Sequence, residues 1–408
     1  MRATSSPFVH HSITCCSICT DENLVTLWDL PNFPLTEQFG DFDLDFPSFD
    51  QKMLFCRTCG HVQLQSIVEP KSLYTPTTYV YRILNSKKIQ AEYEFFRGFV
   101  AGLNIDLQYS KVLELGAGNF QLANFLKGSV SEYAVCEPML VDLDGTTVEG
   151  IAVIGKFAEE AIDDIKSLGP DFVFGRHFLE HVVNPKELLA SLLTSIENEH
   201  IFCFEVPSLR HLREQSRFDA IFHDHVQYFD IDSIKQLLAS LNCVLLDFRY
   251  NALGSNGGSL LFAFKKSANI LEVGGDSDNV GTLEKIRIEE KEIRIRAEIE
   301  CFLIGIKSLA KQIELCGTPI YGFGAAHMLA TLNYHLDSKI ELLDAILDDN
   351  MELDGSHYRN VDVEIRHPSK IDTPDDATFL ITSQENRRTI LNKLIQMGVT
   401  KILTTNVT

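Results

Sequence analysis

From residue 112 to residue 204, short apolar runs alternate with amphipathic stretches. That alternation restricts the chain to a parallel sheet with helices on its faces. The apolar runs fall at residues 112–115, 133–136, 151–154, 172–174 and 201–204, with helices predicted at 120–125 and 185–196. Upstream, Ile89, Tyr93, Phe96, Phe99 and Val100 are spaced for one face of a helix. A sheet of this kind presents ligands at the carboxyl ends of its strands.

A second strand–turn–helix unit begins at residues 319–326, with further strands predicted at 343–347, 377–381 and 401–403. Between the two sheets, the stretch 283–315 reads as one long helix. Ile286, Ile293, Phe302, Leu303, Ile306, Leu309 and Ile313 are assigned to its core face, and its Glu/Lys/Arg run to a solvated face held by i,i+4 pairs. Residues 15–76 are different. They hold four cysteines in two pairs, the single Trp28, and segments broken by Pro31, Pro34 and Pro47, with a linker expected at 69–78. The division predicted is 1–77, 78–265 and 266–408, which suits a 408-residue chain.

A net charge of -21 argues against a nucleic-acid partner, because phosphate backbones require clustered Lys and Arg. No apolar run reaches the ~18 residues of a membrane span, and residues 1–14 lack the apolar segment of a secretory signal. Ten cysteines without such a signal point to a reducing, cytoplasmic setting. Cys136, Cys203, Cys243, Cys301 and Cys316 read as buried small hydrophobes, while Cys15 adjoins a proposed ligand. A monomer or small homo-oligomer is expected.

The pairs Cys16/Cys19 and Cys56/Cys59 each present two soft sulfurs to one tetrahedral ion, and Gly60 suits the tight knuckle. Four thiolates leave no open position, so a zinc held here is structural. Four unrelated buried thiols are the alternative. The turn at 112–118 has the Glu-x-Gly-x-Gly form. Gly116 and Gly118 let the backbone approach a ligand, Glu114 is placed near the methionine portion of a sulfonium cofactor, and Glu137 is suited to ribose hydroxyls. NAD is the competing nucleotide, but Leu122 and Ala123 stand where its third glycine is needed.

The fourth strand ends in the run 175–181, which contains His177 and His181. His177 is assigned to the cofactor, and His181 either faces the transferred methyl or caps the next helix. Residues 217–229 hold His223, Asp224 and His225 among aromatics including Phe222. This is a compact acid–base cluster with His225 as base, with metal binding or a structural histidine pair as alternatives. The second turn, Gly322 and Gly324, is suited to a substrate diphosphate at the following amides or to packing alone.

Together these residues resemble the sugar C-methyltransferases that act on nucleotide-linked deoxysugars. That family joins a zinc-binding N-terminal module, a central methyltransferase sheet and a C-terminal Rossmann-like module. The resemblance rests on the cysteine pairs followed by residues 60–64, on Tyr79 and Tyr81, on residues 218–219 and 223–228, on Asn256 to Ser259, and on residues 321–325. It departs at Phe120, Phe222, Asp224 and His327 and in residues 354–357, where the family usually has Gly, Tyr, Glu, Lys and a Pro-Gly motif.

The resemblance implies a class I methyltransferase core using S-adenosyl-L-methionine and structural zinc. It also implies carbon methylation beside the ketone of a nucleotide-linked sugar, through an enolate formed by His225. His181, Tyr79 and Asn256 would then position the sugar or stabilise the enolate, with Phe222, His223, Gly322 and Gly324 as further substrate contacts. O- or N-methylation, or a binding protein with an altered site, are the other readings.

Overall fold

The computed structural model describes residues 10–36, 39–40, 48–73, 87–103, 105–196, 200–267, 277–372 and 376–405. The first layer is an antiparallel sheet of β1 (Leu24–Pro34), β2 (Ser48–Cys56) and β3 (Val62–Leu64). Its fourth strand is Gln227–Tyr228, which comes from the middle of the chain and pairs Gln227 with Gln63 and Tyr228 with Val62. Residues 70–73 of the expected linker form a short helix, Pro70–Leu73. Helix α1 (Lys87–Ala101) buries Tyr93, Phe96, Phe99 and Val100, as the spacing predicts.

The central sheet has five parallel strands: β4 (Lys111–Leu115), β5 (Glu132–Cys136), β6 (Ile151–Ile154), β7 (Phe172–Arg176) and β8 (Ile201–Pro207). In space they run β6-β5-β4-β7-β8, so the order reverses beside β4 and opens a crevice at its carboxyl end. Two further strands, β9 (Cys243–Asn251) and β10 (Ser259–Lys266), extend the sheet beyond β8. β10 is antiparallel to both neighbours. The mixed edge and the β6-β5-β4-β7-β8-β10-β9 order define a class I methyltransferase sheet.

Helix α2 (Ser277–Glu314) leads to the C-terminal sheet of β11 (Ile320–Phe323), β12 (Ala345–Leu347), β13 (Ile365–Arg366), β14 (Thr378–Ile381) and β15 (Ile402–Leu403), all parallel. α2 buries Ile295, Ile299, Phe302, Ile306, Leu309 and Ile313. Ile286 and Ile293, read from sequence as core residues, are instead 45% and 69% exposed, because their spacing carries them to the opposite side. Likewise Cys301 is exposed and Cys316 half-buried, whereas Cys136, Cys203 and Cys243 are buried as expected.

The N-terminal sheet, residues 209–228, α2 and the C-terminal module share one core, while the strands of the central sheet pack into two further cores, one of which takes in the four cysteines. Trp28 stacks on His335 at 5.0 Å and meets Phe218 and Phe302 edge-on, joining the N-terminal sheet, the central segment, α2 and the C-terminal module. Tyr358 donates its hydroxyl to the Ala326 carbonyl, and Thr331 donates to the Asp219 carbonyl at 2.9 Å. Among the described residues no helix is long and apolar enough to cross a membrane.

Candidate active site and metal centre

The sulfurs of Cys16, Cys19, Cys56 and Cys59 lie within 4.8 Å of one another, with Cys16–Cys59 at 3.5 Å and Cys19–Cys56 at 3.4 Å. Ligands ~2.3 Å from a tetrahedral zinc stand roughly 3.8 Å apart, so the donor set matches that ion. Gly60, at φ +72°, returns its N–H to the Cys56 carbonyl at 2.8 Å and closes the knuckle. With four sulfurs the shell is full, and the metal is structural.

Gln227 binds this knuckle to the rest of the molecule. Its Oε1 accepts from the Ser17 hydroxyl at 2.7 Å and faces His61 Nε2 at 2.8 Å, while its Nε2 donates to the carbonyls of Val182 and Val183. The metal module therefore reaches the segment just beyond His181.

A cleft of about 690 Å³ opens at the carboxyl ends of β4 and β5, lined among others by Gly116, Gly118, Glu137, Phe157, Glu159, His177 and His181. Glu137 follows β5. Its Oε2 accepts the Gly118 N–H at 2.8 Å and its Oε1 accepts the Met139 N–H at 3.0 Å, which fixes the carboxylate in the wall. Gly116 and Gly118 hold φ of +67° and +59°, the left-handed turn that glycine adopts without strain. A Cβ on Gly116 would lie 2.7 Å from Cδ2 of Phe178. The close approach at Gly116 is therefore to Phe178, not only to a ligand.

Glu114 departs from its expected place. It is buried, its Oε2 accepts the Tyr133 hydroxyl at 2.7 Å, and it is not among the residues lining the cleft. Burial raises its pKa to about 8 against the opposing pull of Tyr133. Its carboxyl is thus held inside the sheet by Tyr133, away from the residues that line the cleft.

Beside the cleft stands a cluster that the sequence reading only partly identified. Glu180, fully buried, has neither carboxyl oxygen in a hydrogen bond. Its Oε1 lies 3.3 Å from His177 Nδ1 and 4.0 Å from His225 Nε2. The ligand atoms of Glu180, His181 and His225 lie within 4.8 Å of one another. His181 packs edge-on to His225 at 4.8 Å, and Phe222 lies over His225 at 4.1 Å. Because a carbonyl only accepts, the 2.8 Å contact of His181 Nδ1 with the Asp224 carbonyl assigns the proton to Nδ1 and makes Nε2 the acceptor. His177 is held at φ +49°, and although burial opposes its charge, Glu180 outweighs that and raises its pKa.

His225 sits one ring behind His181. Burial, then His181, His177 and His327, hold its pKa well below the ordinary imidazole value, so it is not the near-neutral titrating group its residue type suggests. The Asp224 carboxyl is pushed up to about 6 by burial, with His181 opposing.

His223 faces away from the cluster. Its ring is held between the Phe33 carbonyl at 3.1 Å and Gln51 at 3.1 Å, and it packs against Phe33 and Phe49. Burial lowers its pKa to about 4, and it serves the N-terminal core rather than a substrate.

In the C-terminal module, a Cβ on Gly322 would meet Leu343, Ile346 and Thr382 at 3.0–3.1 Å, and one on Gly324 (φ +101°) would meet Ser383 at 2.4 Å. Both glycines are therefore closely packed inside that module. The turn nevertheless repeats the central design, with Ala325 N–H donating to Asp348 Oδ2 at 2.7 Å as Gly118 does to Glu137. It carries His327 to 6.3 Å from Phe222. Tyr79 and the side chain of Asn256 lie outside the described residues. Glu180 and Glu159 were missed because a single carboxylate in a loop shows no periodicity; only the place of Glu180 at the tip of the fourth strand offered a signal.

The methyltransferase-domain family model matches residues 86–247, and a family described as "Putative zinc binding domain" matches residues 16–74. The central module is a class I methyltransferase domain, a fold that uses S-adenosyl-L-methionine, and it follows a four-cysteine zinc module. Among individual proteins, the chain is similar to the C-methyltransferase NovU of Streptomyces niveus, 27% identical over 160 residues, or 37% of this chain and 38% of that protein. The match thus spans under two fifths of the relative's length. Among solved structures, the plantazolicin methyltransferase BpumL, in complex with a triazolic desmethylPZN analog and SAH, aligns at a TM-score of 0.36 and 10% identity, covering 49% of this chain and 92% of that one. The N-methyltransferase NodS of Bradyrhizobium japonicum WM9 aligns at 0.31 and 12% identity, covering 43% and 97%.

Proposed function

We propose that the chain transfers a methyl group from S-adenosyl-L-methionine to a carbon beside the ketone of a nucleotide-linked deoxysugar. The observation that carries this reading is the fully buried Glu180 carboxylate set between His177 and His225, one ring behind the cleft wall that also holds Glu137. In this reading residues 1–77 form the zinc module, 78–265 the methyltransferase domain and 266–408 a Rossmann-like module that helps enclose the sugar nucleotide.

The fit to the cofactor is chemical. Glu137 supplies fixed carboxylate oxygens for a ribose diol, Phe157 offers an apolar wall, and the carboxyls of Glu137 and Glu159 suit a cationic ligand. When bound, the cofactor supplies an electrophilic methyl on a sulfonium.

The remaining steps belong to this chain. His225, neutral because it is buried, is ready to accept a proton from the carbon next to the ketone. The imidazolium so formed faces the Glu180 carboxylate, which already stands beside His177 and gains a second cationic partner as the charge appears. His181, with its proton fixed on Nδ1, presents an acceptor nitrogen for a sugar hydroxyl. Phe222, in place of a hydroxylated ring, keeps water from the base.

The test is hydrogen exchange. With S-adenosylhomocysteine present, so that no methyl transfers, the protein should exchange the proton alpha to the ketone with deuterated water, and His225→Ala should stop that exchange. Methyl transfer to the sugar without any such exchange contradicts the enolate step.

A further inference from the structure

Helix α2 carries a second apolar stripe that the fold leaves uncovered. Ile286, Ile293, Ile304 and, one residue past the helix end, Leu315 are 45%, 69%, 64% and 70% exposed. They follow one another at steps of 7, 11 and 11 residues. Such steps keep to one line along a helix, each drifting by only ~20°. At 1.5 Å per residue the line is about 44 Å long. Single exposed apolar side chains are ordinary, but an ordered row of four marks a surface that meets something.

The flanking charges indicate what it meets. Laid antiparallel against itself, α2 brings Ile293 opposite Ile304 of a second copy. In the same register, to within one residue or about 1.5 Å of rise, Glu289 faces Lys307 of the second copy. The register also sets Arg296, which is already bonded to Glu292, opposite Glu300. A two-fold axis turns each flank of the helix onto the same flank of its partner, so one register satisfies the central Ile293–Ile304 pairs and the flanking charges together, with Ile286 falling opposite Lys311 toward the ends. Ala297, exposed near the centre, keeps the helix axes close.

We infer that this stripe binds the same stripe of a second copy of the chain, as an antiparallel helix pair centred near Ala297. None of the stripe's residues lines the cleft, and the inference is independent of the methylation reading.

The full-length protein is tested by sedimentation velocity at micromolar concentration and moderate salt. Wild type should run as a dimer, and Ile293→Glu with Ile304→Glu as a monomer with its melting temperature unchanged, since both positions are solvent-exposed. Glu289→Lys should weaken the dimer, and adding Lys307→Glu in the same chain should restore it. A wild-type protein that stays monomeric, a dimer that survives the double isoleucine substitution, or a charge swap that fails to restore it overturns the inference.

Discussion

At the scale of single residues, the site depends on what burial does to ionisable groups. An imidazole buried away from water among other histidines resists protonation, so His225 is neutral well below the pH at which a free histidine gains its proton. The pH dependence follows in sign: turnover should be flat through neutrality, with any acid limb from His225 falling below pH 6.5. A kcat/KM profile whose His225-dependent limb lies above 7 contradicts this environment. His225→Ala should lower turnover by roughly 10²- to 10⁴-fold, with S-adenosylmethionine affinity by calorimetry unchanged. Glu180→Gln removes the carboxylate that faces the new imidazolium. It should cost on the order of 2 kcal/mol in kcat, the worth of a hydrogen bond to a charged group, again without weakening the cofactor. Equal losses in cofactor affinity would assign Glu180 to the architecture alone.

At the scale of elements, the strands of the central sheet were legible because buried parallel strands are continuous apolar runs bounded by turns. Gly118, Glu137 and the cysteine pairs were legible because each belongs to a local pattern of fixed spacing. What escaped shares one property, dependence on partners distant in sequence. β9 and β10 lack the helix between strands that marks a parallel unit. Gln227–Tyr228 is only two residues long, too short for any periodicity, and its place is set by β3, over 160 residues earlier. His223 and His225 sit two residues apart, yet one faces the N-terminal core and the other the cluster, which no local rule foretells. That strand also transmits mechanical dependence. Gln227→Ala takes this partner from His61 and from the Val182 and Val183 carbonyls, while Ser17 keeps its bonds to Gln63, at roughly 1–3 kcal/mol for each buried group left unsatisfied. Its melting temperature should fall, and turnover should fall with it because His225 is two residues away. Chelating the zinc should do the same, since the fold of so small a module depends on its metal. Full activity in zinc-free protein is the result that excludes this coupling.

At the scale of the molecule, one core is shared by all three modules, and it contains ionisable residues kept neutral. His335, stacked on Trp28, has its pKa lowered by burial to about 3, and His223 to about 4. Both lie below the 6.5 of the unfolded chain, so below that pH the unfolded state binds protons that the folded state refuses. Stability is therefore complete above pH 6.5 and is lost as pH falls toward 4, by up to about 3 kcal/mol per histidine. Urea midpoints measured between pH 7 and pH 4 should decline, and His335→Phe should flatten that decline. A decline of equal slope in the variant would place the acid sensitivity elsewhere.

The most direct measurement uses S-adenosylmethionine carrying a ¹³C methyl, incubated with the protein and a set of nucleotide-linked keto-deoxysugars, with the product read by carbon NMR. A labelled methyl bonded to the carbon next to the ketone, absent with His225→Ala, is the predicted result. A labelled methyl on oxygen or nitrogen, or none on any sugar while the cofactor binds, contradicts it.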